Sequence, residues 1–225
     1  MNNIQKYLFI VVYQSIMNKR GWRIIKLGLL CVAAAGANYL VNNFCVYYLK
    51  IPLYLDTIFN AAVCFSAGLV PGIITAGLSY TALAARDSGF HPFVLCSIAE
   101  VLLIWQIKPS LSELPLANIV NSTEAERKRD SLVSVIARLM LLYIAASLAV
   151  SILGGIIDFI TYNVLSNSKI FFSAEDAFKI GFLKSNIHPL AINIMSRIPV
   201  NMVDRFIVIF GGYGLALLCR KIIKK

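Results

Sequence analysis

The stretch Lys50–Gly72, KIPLYLDTIFNAAVCFSAGLVPG, decides the fold because it sets a proline corner, a lone carboxylate and an apolar helix in succession. Pro52 disfavours helix at Ile51 and removes a backbone donor, so the preceding element should end by about Leu49 and a new one should begin near Asp56. Asp56 has two readings. As an N-cap it would accept the amide of Ile58 or Phe59 and suit the positive end of the helix. As a site residue it would face a bound solute from the head of an apolar bundle.

The rest of the chain defines the medium around that helix. With 59% hydrophobic and only 14% charged residues among 225, and a mean hydropathy of +0.76, there is too little polar surface to cover a soluble globule. The composition predicts an all-α integral membrane protein. The net charge of +10 falls in short clusters between apolar runs, without the basic and aromatic interleaving of a nucleic-acid surface. The five cysteines lie in apolar runs with no CxxC spacing and no histidine at ligand spacing, so neither a disulfide framework nor a metal site is expected, and no cofactor. A Walker A loop, a GxSxG elbow and an HExxH pair are all missing, and the chain reads as a non-enzyme.

In chain order, residues 1–26 hold the short apolar run Tyr7–Met17 and a basic cluster. That run is too short for roughly 30 Å of hydrocarbon and reads as an interfacial helix. The membrane domain, residues 27–219, is expected to contain six spans: Leu27–Leu49, Thr57–Val70, Ile73–Ala85, Phe93–Ile107, Leu132–Ile157 and Met202–Cys219. Pro71-Gly72 is the expected turn between the second and third, Gly154-Gly155 the expected close of the fifth, and a long fifth loop follows from Asn163. Glu100, in the middle of the fourth span, should face the bundle interior. Residues 220–225 form a basic tail.

Basic residues sit before span one, between spans four and five, and after span six, so the positive-inside rule puts both termini in the cytoplasm. The loops left on the outer side carry a partial echo: Lys50-Ile51-Pro52 precedes Asp56 and Arg197-Ile198-Pro199 precedes Asp204. Tyr54, Asp56, Asn201, Asp204 and Arg205 could converge there to bind a small polar solute, with Arg86, Asp87 and His91 at the rim.

The segment IPLYLDTIFNAAVCFSAGLVPGIITAGLS resembles the substrate-binding S components of energy-coupling factor transporters, in which a Pro-x-x-x-Asp-Thr-Ile stretch precedes a helix and a Gly-x-x-x-Gly region. The resemblance covers about residues 24–220. It implies a vitamin-like solute bound near the outer face of the plasma membrane, and docking onto a transmembrane coupling protein with two ATPase subunits. It also matches Ala33 and Ala37 to the Ala-x-x-x-Ala docking pattern and Asp56 to the loop carboxylate. The rival readings are a membrane sensor or interaction protein without transport activity, and a membrane enzyme using Glu100, Asp158 or His188.

Overall fold

Six consecutive residues of one short helix, Asn60–Phe65, are buried, so this helix has no outward face and its neighbours must enclose it. It is α2 (Ile58–Ala67). In this computed structural model, which describes residues 3–50, 53–87, 92–109, 122–161, 179 and 187–223, α2 is packed on by α1 (Asn3–Asn43), α3 (Leu69–Asp87), α4 (Val94–Ile107) and α6 (Pro189–Ile223), while α5 (Ser122–Asp158) closes the bundle against α4 and α6. Among the described residues there is no strand. α1, α3 and α5 finish at the end of the bundle where α2, α4 and α6 begin: Arg86 at the foot of α3 bonds Asn42 and Asn43 at the foot of α1, and Arg197 early in α6 bonds Asp158 at the end of α5.

The core joins Cys64 and Phe65 of α2 to Val101 and Ile104 of α4, Leu139 and Leu142 of α5, and Val208 and Ile209 of α6. Phe65 meets Tyr213 edge to face at 5.3 Å. Outward faces are apolar as well: Leu29, Val32 and Leu40 on α1, Leu141, Ile144 and Leu148 on α5, and Val203 and Phe206 on α6 are all exposed. Three stretches, Gly21–Tyr48, Leu132–Thr161 and Pro189–Cys219, are long and apolar enough to cross a membrane. Together these features make the protein a membrane-embedded helical bundle. α2 and α4 are apolar but only 10 and 14 residues long.

Several boundaries differ from those the sequence suggests. The break between α2 and α3 is at Gly68, whose φ of 99° is open to glycine and costly for other residues, whereas Pro71 and Gly72 lie inside α3. Pro71 is tolerated in the first turn because no intrahelical acceptor awaits its missing amide. The first helix runs unbroken from Asn3 to Asn43, without a joint between an interfacial piece and a span, and a π-helical turn continues it at Phe44–Tyr48. Gly154 and Gly155 do not close α5; they are buried within it. α6 begins at Pro189 rather than Met202 and keeps Pro199 inside, because that part of the helix is held against α5. A Cβ on Gly155 would stand 2.7 Å from Ile194 Cα, so the two backbones meet there almost directly. Pro52, His91, residues 110–121 and most of the long loop from Asn163 lie outside the described residues.

Gly155→Ala should therefore lower the unfolding temperature in detergent, by a cost of about 1–3 kcal/mol from overpacking. Gly77→Ala, where a Cβ would meet nothing within 4 Å, should not. Equal effects would disprove the close α5–α6 contact.

Candidate functional site

At the end of the bundle where α1, α3 and α5 finish, a cavity of about 230 Å³ opens between the helices. Its innermost charged wall is built on Arg205, which is only 6% exposed. The Arg205 guanidinium donates from Nη1 to Glu100 Oε2 of α4 and, at 2.5 Å, to Thr57 Oγ1 at the head of α2; Nη2 lies 3.0 Å from Asp204 Oδ2. Glu100 and Asp204 are each 1% exposed, so one cation holds two carboxylates out of water.

Asp204 turns its other oxygen to the connector before α2, accepting the Leu55 amide at 2.9 Å. Leu55 has φ 44°, a left-handed conformation that costs a branched side chain about 1–2 kcal/mol. The bond to Asp204 holds the connector in this shape and sets Tyr54 and Asp56 on the cavity wall. Asp204 thus does not head a span, as the Ile-Pro echo suggested; it lies mid-helix and ties α6 to the connector.

Asp56 does not cap α2 either. The N-cap position is Thr57, with no side-chain cap bond, and the Phe59 amide donates instead to Asn38 Oδ1 of α1 at 3.0 Å. Asn38 is fully buried, and its Nδ2 bonds Asn60 Oδ1 at 2.8 Å and Ser79 Oγ at 2.9 Å, locking α1, α2 and α3 together. Asp56 is left partly exposed on the cavity. Burial pushes its carboxyl from the ordinary 3.8 up to about 6; Arg205 pulls it down, while Asp204 and Glu100 push it further up.

Two more guanidiniums line the same cavity. Arg197 bonds Asp158 Oδ2 through Nε at 2.9 Å, an oxygen that Lys179 also approaches at 3.3 Å, and stacks over Phe93 at 5.0 Å. Arg86 donates to Asn42 Oδ1 at 3.0 Å and Asn43 Oδ1 at 2.6 Å and lies 5.0 Å over Tyr47. Asn201, between Arg197 and Arg205 on α6, donates to Ser151 Oγ at 3.0 Å. Tyr80 adds an aromatic wall from α3.

Of the residues singled out from sequence, Tyr54, Asp56, Arg86, Asn201 and Arg205 share this cavity, and Asp204 stands directly behind it. Asp87 ends α3, with its side chain outside the described part; His91 lies outside it altogether. Arg197, which the sequence offers only as the basic residue of the Ile-Pro echo, lines the site together with Asn42, Tyr80 and Phe93, and Glu100 stands behind it through Arg205. Arg197, Asn201 and Arg205 recur every four residues, as do Asn38 and Asn42, and such spacing of polar residues in an apolar helix is the available signal. His188, exposed at the head of α6, accepts the Leu190 amide at Nδ1 at 3.3 Å. No group of metal-binding side chains occurs among the described residues. No family model, curated protein or solved structure matches the chain.

Arg205→Gln should destabilise the protein by about 3–5 kcal/mol, because two buried carboxylates lose their cation. Glu100→Gln keeps an acceptor for Arg205 and removes one excess charge, and should cost less than about 1.5 kcal/mol. Unfolding in detergent compares them, and equal losses would contradict this arrangement.

The raised Asp56 carboxyl means the folded protein binds more protons than the unfolded chain between about pH 4 and 6. Its contribution is complete below the ordinary value and is lost as pH rises through 6. The wild type should therefore lose more stability between pH 5 and pH 7 than Asp56→Asn does; parallel pH curves would contradict the shift.

Proposed function

We propose that this protein is the solute-binding membrane subunit of an energy-coupling-factor-type transporter. It captures a small polar, vitamin-like solute in the cavity from the outer face of the plasma membrane, and a coupling protein with two ATPase subunits drives import. The observation that carries this reading is the convergence of Tyr54, Asp56, Arg86, Asn201 and Arg205, from three separate stretches of chain, on one cavity. Its 230 Å³ lies just below the range of roughly 300–1,000 Å³ that suits drug-sized ligands. Polar side chains buried in an apolar bundle are costly, and a solute that they recognise gives them a purpose.

In this reading the chain crosses the membrane six times with both termini cytoplasmic. The short α2 and α4, about 15 and 21 Å long at 1.5 Å per residue, count as spans that line a cavity. The basic clusters then share the inner side, where Lys108 also donates to Cys64 O near the end of α2. The docking surface is the outward face of α1 at Ala33 and Ala37. Ala33 is exposed, Ala37 partly so, and a Cβ on Gly36 would meet nothing within 4 Å, which leaves room for a partner helix.

Native mass spectrometry of protein purified gently from its own membrane tests the proposal. A retained small molecule together with ATPase subunits is the expected result; a preparation with neither would overturn it. Ala37→Leu should reduce co-purification of the partners and leave solute affinity unchanged, and undiminished co-purification would remove α1 as the docking face.

A further inference from the structure

The charges along the cavity are arranged by sign. Arg197 and Arg205 lie eight residues apart on α6, about 12 Å along the axis, and both line the cavity with Asn201 between them. Around Arg205 gather Glu100, Asp204 and, on the cavity wall, Asp56. Asp56 takes a backbone hydrogen bond from its own residue and feels Arg205 through charge alone, so that end sets three acids against one guanidinium. Arg205 is itself more than nine-tenths buried, and its Nε has no acceptor among the described residues. At the other end the Arg197 guanidinium is pinned to Asp158 and laid over Phe93, and it lines the cavity from there. Aromatic rings of Tyr54, Tyr80 and Phe93 form the walls between.

Resting on the solute-binding reading above, we infer that the solute is a zwitterion: a small molecule with a cationic nitrogen set against Asp56 and an oxyanion set against Arg197. A solute carrying only an anion would leave the acid-rich end uncompensated, and one carrying only a cation would meet the guanidinium of Arg197. Opposite charges at the two ends meet complementary groups at both. The aromatic walls take the apolar body of the molecule.

The test is thermal stabilisation and titration of the purified protein in detergent with a size-matched panel. It comprises zwitterions (amino acids, betaines, phosphoethanolamine), the corresponding acids alone, the corresponding amines alone, and neutral amides. Zwitterions should be the stabilising class, with the matching acid and amine each weaker by about tenfold or more, the value of one lost hydrogen bond to a charged group. Asp56→Asn should weaken zwitterion binding by a similar factor and bring its affinity down to that of the acid. Arg197→Gln should act on the oxyanion end, and the double variant Asp158→Asn/Arg197→Gln repeats that measurement without an unpaired buried carboxylate. Anions, cations or neutral compounds as the stabilising class, or binding indifferent to Asp56→Asn, would overturn the inference and leave the cavity reading standing. If no compound stabilises the protein, the molecule retained in native mass spectrometry decides by its charge. If nothing is retained either, the solute-binding reading falls, and the inference with it.

Discussion

The guanidinium of Arg205 is the contact on which the arrangement of helices depends. It reaches from α6 to Glu100 on α4 and to Thr57 at the head of α2, and pairs with its neighbour Asp204, which in turn holds the Leu55 amide. Each of these groups would be expensive alone in an apolar interior. Joined, they fix how deep α4 and α6 sit relative to the connector, since a slip of one helical turn would separate every pair. The apolar core is tolerant by comparison, because Val101, Ile104, Val208 and Ile209 make contacts without direction.

Much of this was legible from residue types. The apolar composition announces an embedded helical bundle, Glu100 announces an interior partner, and the sequence groups Tyr54, Asp56, Arg86, Asn201 and Arg205, which share the cavity. What failed was local punctuation. Pro71-Gly72 and Ile198-Pro199 look like corners, yet tertiary packing carries helix through both, and Gly68 makes the turn through a backbone angle that no side-chain pattern reveals. With Pro199 taken as a break, the four-residue spacing of Arg197, Asn201 and Arg205 was hidden. The cap of α2 was illegible for a different reason. It comes from Asn38, 21 positions earlier, and short-range rules look only for caps within a few residues.

Small residues divide into two populations that the sequence does not distinguish. Gly72, Gly155 and Gly212 sit where a Cβ would collide with Cys64, Ile194 or Ala61, and they set the distances between helices. Gly28, Gly36 and Gly77 face open space. In a bilayer the first group replaces the hydrophobic drive for helix association with close van der Waals contact. The second group keeps parts of α1 and α3 smooth.

α2 has both ends secured by other elements: Asn38 and Arg205 at its head, Lys108 at its tail. The partners of Leu55 and Thr57 lie 149 and 148 residues further along the chain. During synthesis, Asn38 and Lys108 are at hand before α6, whereas Leu55 and Thr57 wait for their partners until α6 has been made and that long loop can close. A nascent chain released before α6 would hold neither the Leu55 turn nor the charged wall. The cavity is thus completed last and serves as a check on the completeness of the fold.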